Sequence, residues 1–472
     1  MKKEKKPLLL ENITITDAGA KGKSIAHAPD GRVIFVENAV PEDVVDIQVT
    51  KKKKAFYEGI AVKFHQYSPQ RETPVCEHFT YCGGCQWQHM NYQSQLFYKQ
   101  QEVVNNLKRL GGIVPEETLP ILGCEKPYFY RNKIEFSFSE TRWLTPEEIA
   151  SKETIDSRNG LGFHIAGAWD KVLDIHKCHL QQDPSNAIRN TLKAYALSQG
   201  YTFYNPRTHT GWLRTIMIRI TSLGELMVVI QFLEEQQHER EQLLDYLLAQ
   251  FPQITSLQYI INNKPNDTIY DQEVVCYHGR DFIYEQMEGL RFKINAKSFF
   301  QTNSTQAYEL YKVTRDFAAL TGKELVYDLY TGTGTIAQFV ARKAKKVIGV
   351  EAVPEAIADA KENARNNQID NVEFFVGDMK NIFNEEFIAT HGTPDVIITD
   401  PPRDGMHKDV VAQILRIAPQ RVVYVSCNSA TQARDLALMA PMYRVVKIRP
   451  VDMFPQTYHI ENVALLERKE DL

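Results

Sequence analysis

The sequence predicts an α/β protein in three parts: a small OB-like β-barrel, a mixed α+β middle and a C-terminal doubly wound parallel sheet. Three observations predict it. The chain has 472 residues, more than one domain core accommodates. Residues 11–66 read as short apolar runs broken by turn signals, the pattern of a small barrel. From residue 291 onward apolar strands alternate with helices, the pattern of a parallel sheet covered on both faces.

In the first part, 13–16, 33–36, 44–49 and 59–62 are the strand candidates, and Asp30-Gly31 marks a hairpin turn. Residues 1–70 hold 12 Lys and Arg against 9 Asp and Glu, while the whole chain has a formal net charge of −4. The basic run Lys51 to Lys54 supplies much of this excess. It makes Lys51 and Lys53 candidate nucleic-acid contacts, although a solvated strand end explains the run equally well. Ser68-Pro69 closes the part, so units of 1–68, 69–290 and 291–472 are expected.

The middle opens with a cysteine cluster. An amphipathic helix follows over about 92–110 and stops at Gly111-Gly112. Residues 133–138 alternate with period two as a strand. Thr145-Pro-Glu-Glu starts a short helix, 150–160 is a polar loop, and 234–250 is a polar-faced helix. In the last part, strands are predicted at 324–330, 346–350, 372–376, 395–399 and 421–426, with two more at 443–448 and 461–467.

Hydrophobic residues make up 43% and charged residues 24%, an ordinary globular mixture. No apolar run is long enough to span a membrane. Only Pro7 to Leu10 separates the basic first residues from Glu11, too short for a signal core. A cytoplasmic monomer is expected.

Residues 325–335 read as a strand, a Gly332-x-Gly334 turn and a helix start, which lets backbone approach a ligand closely. Gly-x-Gly alone is weak, and the third glycine of a dinucleotide fingerprint is missing. Context strengthens it. Glu351 ends the next strand, where a ribose diol would lie. Asp378 follows the third strand and Asp400-Pro401-Pro402 the fourth. With Asp328 these carboxylates converge at the carboxyl edge of the sheet. They suit a ligand bearing sulfonium and ammonium charges, S-adenosyl-L-methionine, and would repel a pyrophosphate. Any one of them alone is as readily a helix cap.

Cys427 follows the fifth strand, with Ser429 or Thr431 as the N-cap of the next helix. A thiol near a helix N-terminus is expected to have a lowered pKa. A strand-end cysteine in isolation is more often a buried small hydrophobe; here it lies beside the methyl donor. His459 and Glu461 alternate onto one face of the last strand. A carboxylate entering an apolar strand tends to a raised pKa, which suits a general base. One cysteine and one base suffice for methylation at C5 of uracil. Thiolate adds at C6, C5 becomes nucleophilic, and the base removes the C5 proton after methyl transfer. Asp400 or Gln301 is placed to hydrogen-bond the uracil edge.

The seven cysteines are odd in number, so no disulfide framework is expected. Cys76-x5-Cys82-x2-Cys85 with one remote cysteine gives four thiolates, enough for zinc or an iron–sulfur cluster, and spacing alone does not choose.

At these residues the chain resembles the RNA 5-methyluridine (uracil-C5) methyltransferase family, in its RumA/RlmD-like, 23S rRNA branch, over nearly its whole length. Residues 5–66 resemble a TRAM domain, an RNA-binding barrel. Ser298-Phe-Phe-Gln301-Thr-Asn303, Asp400-Pro-Pro-Arg403-Asp-Gly405 and Ser426-Cys427-Asn428 carry the resemblance most specifically. It implies a class I (Rossmann-like) methyltransferase domain at the C-terminus. Gln301, Tyr330, Gly332, Gly334, Thr335, Glu351, Asp378 and Asp400 would then be cofactor contacts, Cys427 the nucleophile and Glu461 the base. The resemblance further implies that Phe299 or Phe300 stacks on a flipped-out uracil, with Arg403, Arg131 and Lys133 at the RNA. It makes Cys178 the fourth ligand of a [4Fe-4S] cluster, favoured over zinc, and packs the 92–110 helix on the catalytic domain. It points to 23S rRNA as partner, with tRNA or several uridines as the alternative. The chain departs from the family at Tyr330-Thr-Gly332-Thr-Gly334, at Ser429 where proline commonly stands, at Pro41-Glu42-Asp43, and in an apparent insertion near 141–160.

A 5-methylcytidine enzyme would carry a second cysteine at the fourth-strand motif, but Thr399-Asp400-Pro401-Pro402 has none. An N6-adenine enzyme would place an aromatic residue where Arg403 stands. A catalytically idle RNA-binding or ribosome-assembly factor would have no need of Cys427 and Glu461 together.

Overall fold

The computed structural model describes residues 8–155 and 157–470. Strands β1 (Leu9–Ala18), β2 (Ser24–His27), β3 (Val33–Glu37), β4 (Val44–Lys52) and β5 (Phe56–Gln66) close into a barrel in the order β1-β2-β3-β5-β4. Alternation sends Ile13, Ile15, Ile34, Val36, Val45 and Ile47 into its lumen. The β2–β3 turn uses Gly31 at φ +84, as the Asp-Gly pair implies.

The cysteine loop follows and leads into α1 (Tyr92–Gly111). Asn91 caps it by accepting from Ser94 N–H, and Gly112 in the left-handed region ends it. A two-residue strand, β6 (Glu117–Thr118), comes next. The middle sheet holds β7 (Lys133–Ser139), β8 (Gly160–Ile165), β9 (Ala168–Asp174), β10 (Leu213–Ile220), β11 (Leu226–Phe232), β12 (Ser256–Ile261) and β13 (Val275–Gly279). Their order is β13-β12-β11-β10-β7-β8-β9. Between β7 and β8, Thr145 caps the short helix α2 (Pro146–Ser151) in a capping box with Glu148. Helices α3 (Ser185–Ser198) and α4 (Gln237–Gln250) bury Ile188, Leu192, Leu243 and Leu247 in the core beneath the sheet. The helix expected from 234 thus begins three residues later. A hairpin, β14 (Phe282–Met287) with β15 (Leu290–Asn295), leads on, so a cut at residue 291 falls inside it.

After α5 (Ser304–Ala318) comes the doubly wound unit: β16 (Leu325–Leu329), α6 (Thr335–Ala341), β17 (Lys346–Glu351), α7 (Pro354–Asn366), β18 (Val372–Val376), α8 (Met379–Ile382), α9 (Glu385–His391), β19 (Val396–Thr399), α10 (Lys408–Ile417), β20 (Arg421–Ser426), α11 (Ser429–Met439), β21 (Tyr443–Val451) and β22 (Glu461–Arg468). The sheet order is β18-β17-β16-β19-β20-β22-β21-β6. Strands β16 to β20 run parallel, and β22 returns antiparallel between β20 and β21. Apolar clusters lie on both faces, which is why these strands read as continuous apolar runs. The order reverses between β16 and β19, so the binding crevice opens outside their carboxyl ends. Helix α1 packs along α11, with Val103 and Leu107 in the core of the last unit. No described helix is long and apolar enough to cross a membrane.

Candidate active site

Beyond β16 the chain turns sharply: Tyr330, Gly332 and Gly334 all have positive φ. A Cβ on Gly334 would meet the Phe374 ring at 2.7 Å and Ala360 at 2.9 Å, so the turn lies against β18 and α7 with no spare room. Gly332 N–H donates to Glu351 Oε2 at 3.1 Å, tying the loop to the end of β17. Thr331 Oγ1 donates to Asp328 Oδ2 at 2.5 Å, and Thr335 Oγ1 lies 3.3 Å from Thr333 Oγ1. The Gln301 carbonyl accepts from Asn132 Nδ2 at 2.8 Å, tying the loop before α5 to the middle unit. Asp378 is exposed and caps α8, accepting from Lys380 N–H.

Asp328 is fully buried, and burial lifts its carboxyl to about 7 against the pull of Thr331 and the Ala337 N–H. Burial and the neighbouring Asp328 raise Asp400 likewise. Asp328 Oδ1 has no hydrogen-bond partner. A crevice whose buried carboxyls are raised by desolvation, one with an oxygen left unpartnered, fits a ligand that brings cationic charge, as S-adenosylmethionine does.

Strand register sets the next pair. Ser426 on β20 lies opposite Asn462 on β22, so Cys427 and Glu461 face each other one step further along. Glu461 is 5% exposed. Burial, then Asp400, raise it well above 4.5, with Arg403 opposing. Burial, then Glu461 and Asp400, push the Cys427 thiol up to about 12. The expected lowering of this pKa by the helix start is therefore overturned: desolvation and two acidic neighbours outweigh α11 and Arg403. The cap of α11 is Asn428, not Ser429 or Thr431. Asn428 Nδ2 and Thr431 Oγ1 both donate to the Arg403 carbonyl, at 3.0 and 3.1 Å, which fixes the Asp400–Gly405 loop beside Cys427. His459 precedes β22 rather than sharing its face; burial lowers it to about 4 and it packs on Tyr458.

Cys427, Arg403 and His459 open onto a cleft of about 430 Å³. Its other walls come from the barrel (Asp17, Lys21) and α1 (Glu102, Arg109). Phe299 is 69% exposed on the loop before α5. Phe300 is 4% exposed and packs on Phe292, so a core position excludes it from stacking on a base. Lys51 pairs with Glu58 at 3.1 Å on the barrel surface, and Lys53 is exposed near it.

Cys76, Cys82, Cys85 and Cys178 line one cavity of about 260 Å³, and none is disulfide-bonded. Burial and the neighbouring thiols raise Cys82 and Cys85 to about 12. Arg131 and Lys133 also line this cavity rather than the Cys427 cleft. The Arg131 Nε, and the Nε of Arg189 near Cys178, are buried without partners. Four thiols lining one cavity, with two arginines nearby whose Nε atoms lack partners, fit a thiolate-ligated centre of negative charge. Cys124 lies elsewhere, beside Asn303 and the Tyr92 hydroxyl, and Cys276 is exposed on β13.

Sequence reasoning missed Asn132, and it missed a fully buried ion pair, Lys99 Nζ to Asp452 Oδ1 at 2.6 Å. A signal existed for the latter: Lys99 falls on the apolar stripe of α1 with Gln95, Tyr98, Val103 and Leu107.

Comparison with known proteins agrees with this geometry. Residues 220–469 match the family described as tRNA (Uracil-5-)-methyltransferase, and residues 11–62 match the TRAM domain. An uncharacterized RNA methyltransferase of Bacteroides thetaiotaomicron is 57% identical, over 95% of this chain and 99% of its own. One of Porphyromonas gingivalis is 55% identical, over 97% and 100%. The crystal structure of Pyrococcus abyssi tRNA (uracil-54, C5)-methyltransferase with S-adenosyl-L-homocysteine superposes with a TM-score of 0.73 and 28% identity, covering 96% of this chain and 99% of that one. The switch-point crevice, the barrel and these matches agree, and the chain belongs to the tRNA (uracil-5-)-methyltransferase family, S-adenosylmethionine-dependent enzymes that methylate C5 of uracil in RNA.

Proposed function

We propose that this chain methylates one uridine of 23S rRNA through a covalent bond between Cys427 and C6 of the base. The observation that carries this reading is the closeness of Cys427 to the buried Glu461, one step past the last β20–β22 pair. Cys427 loses its proton through the open cleft, and the Sγ–C6 bond forms as the C5–C6 double bond opens. S-adenosylmethionine supplies the methyl group and a positive charge that favours the thiolate. C5 takes the methyl group, leaving S-adenosylhomocysteine; Glu461 in its carboxylate form, made strongly basic by burial, then takes the C5 proton, the electrons of the C5–H bond re-form the double bond, and the thiolate leaves C6. The turn from Tyr330 to Thr335, with Gln301, Glu351, Asp378 and Asp400, holds the cofactor. Phe299 stacks on the extruded base.

Cys76, Cys82, Cys85 and Cys178 hold a [4Fe-4S] cluster, with zinc the weaker fit, and Arg131 and Lys133 face it. The cluster ties segments together and takes no part in methyl transfer. In this division of labour residues 1–68 engage RNA, 69–290 house the cluster, and 291–472 perform the chemistry. The rRNA target rests on the pairing of barrel and cysteine set. A tRNA target is the second reading, favoured by the likeness to the Pyrococcus abyssi tRNA enzyme. Mapping 5-methyluridine in rRNA and tRNA from cells lacking the protein decides between them.

The chemistry is tested by two variants. Cys427→Ala is expected to lose methyl transfer by on the order of 10⁴ or more. Glu461→Gln is expected to accumulate a protein–RNA adduct, seen as a retarded band in a denaturing gel. Retained activity in the first, or no adduct in the second, sinks the respective role.

A further inference from the structure

The Cys427 cleft has a wall that the chemistry does not use. On α1, Gln101, Glu102, Asn105 and Arg109 line it, spaced as one helical stripe. The stripe is anchored on both sides. Lys99 Nζ holds Asp452 and the Phe454 carbonyl, and Asn106 Nδ2 donates to Ser429 Oγ at 2.8 Å, two residues beyond Cys427. Glu102 lies one turn before Asn106, hence about 6 Å along the same face.

Glu102 is the unusual member. Its carboxyl is largely removed from water, which raises its pKa, with Lys99 opposing. Lys99 is already committed to Asp452. Among the described residues no hydrogen bond or ion pair engages the Glu102 carboxyl. Facing an open cleft, its acceptor sites are met by water in the free protein and stand open to a donor that the substrate brings. Lys21 on the barrel, Arg109 on α1 and Arg403 stand around the same cleft as cations suited to phosphates. A backbone held by cations on either wall would leave a base edge free to face the stripe.

We propose that Glu102 reads a nucleotide adjacent to the target uridine by accepting from the exocyclic amino group of cytosine. This rests on the uridine reading above and adds a sequence requirement to it. Carboxylate acceptors pair with base amino groups in this way, and uracil, which presents a carbonyl oxygen at that edge, is repelled.

The test uses the full chain, labelled S-adenosylmethionine and a pool of RNA hairpins, each with one loop uridine flanked by randomised nucleotides. Methylated members are sequenced. The wild type is expected to favour cytosine over uracil at one neighbouring position by about tenfold. Glu102→Gln, which offers a donor as well as an acceptor, is expected to bring that ratio near parity. Its preference at other positions, its melting temperature and its S-adenosylhomocysteine affinity stay as in the wild type. A wild type with no such position, or a variant that keeps the full preference, overturns the inference while leaving uridine methylation intact. No 5-methyluridine in any member sinks the uridine reading, and this inference with it.

Discussion

Burial, then Glu461 and Asp400, disfavour the thiolate of Cys427, the proposed nucleophile, while Arg403 and a backbone hydrogen bond oppose them. Cationic charge in the crevice is therefore a switch for the thiol. Alkylation of Cys427 by iodoacetamide at pH 8 is expected to run several-fold faster with S-adenosylmethionine than with S-adenosylhomocysteine, which lacks the sulfonium. Equal rates would refute this. The carboxyls carry a second signature. Asp328 and Asp400 are raised from 3.8, Asp328 to about 7. A carboxyl raised on folding stabilises the protein fully below its unfolded pKa, and that stability is lost as pH rises through the folded value. Between pH 4 and 8 the ligand-free enzyme is expected to lose melting temperature from these groups. Asp400→Asn is expected to flatten that loss and to melt higher than the wild type at pH 8 but not at pH 4. Glu461 and Asp400 were legible because each sits at a fixed place in a strand or strand-end motif. The thiol's environment was not, since it depends on acids brought in from two other strands. Nor was the difference between Phe299 and Phe300, which only the packing against Phe292 decides.

Among the elements, α1 was legible in length, stop and amphipathic face, and its seat on the catalytic unit followed from the family resemblance alone. Its contacts with Asp452, Phe454 and Ser429 span more than 320 positions of sequence. Periodicity shows that a face is buried without showing against what. The two-residue β6, which completes the sheet beside β21, carries no sequence signal at all. The Lys99–Asp452 pair is the strongest point of this docking. Removing one partner leaves an uncompensated buried charge, so Lys99→Met is expected to cost about 3–5 kcal/mol in chemical denaturation. Replacing both, as Lys99→Met with Asp452→Leu, is expected to restore part of that loss. A single variant as stable as the wild type would show that the pair is dispensable.

In the whole molecule, the cysteine loop is the meeting point of barrel, middle and catalytic unit. Gln86 and Trp87 N–H both donate to the Gln456 carbonyl, at 2.9 and 3.1 Å, five residues before Glu461. Trp87 Nε1 donates to the Gly22 carbonyl of the barrel at 3.2 Å. Cys85 adjoins Gln86, so Cys85→Ser is expected to loosen both attachments. The outcome is a raised KM for RNA with unchanged S-adenosylhomocysteine affinity by calorimetry. A parallel fall in cofactor affinity would show the effect to be general unfolding. The three-part plan was readable from pattern changes along the chain. Its interlocking was not, because it joins backbone carbonyls, which every residue shares, and side chains hundreds of positions apart.

That interlocking sets a timetable for synthesis. Helix α1 leaves the ribosome with an apolar stripe and a lysine whose counter-charge is 353 residues away. At roughly 5–20 residues per second, that partner appears only tens of seconds later. The helix must wait beside a nascent barrel and middle sheet before its seat exists. A fragment beginning at residue 291 never receives it and keeps the face of α11 bare. The catalytic unit is thus last to be made and first to need what was made before it.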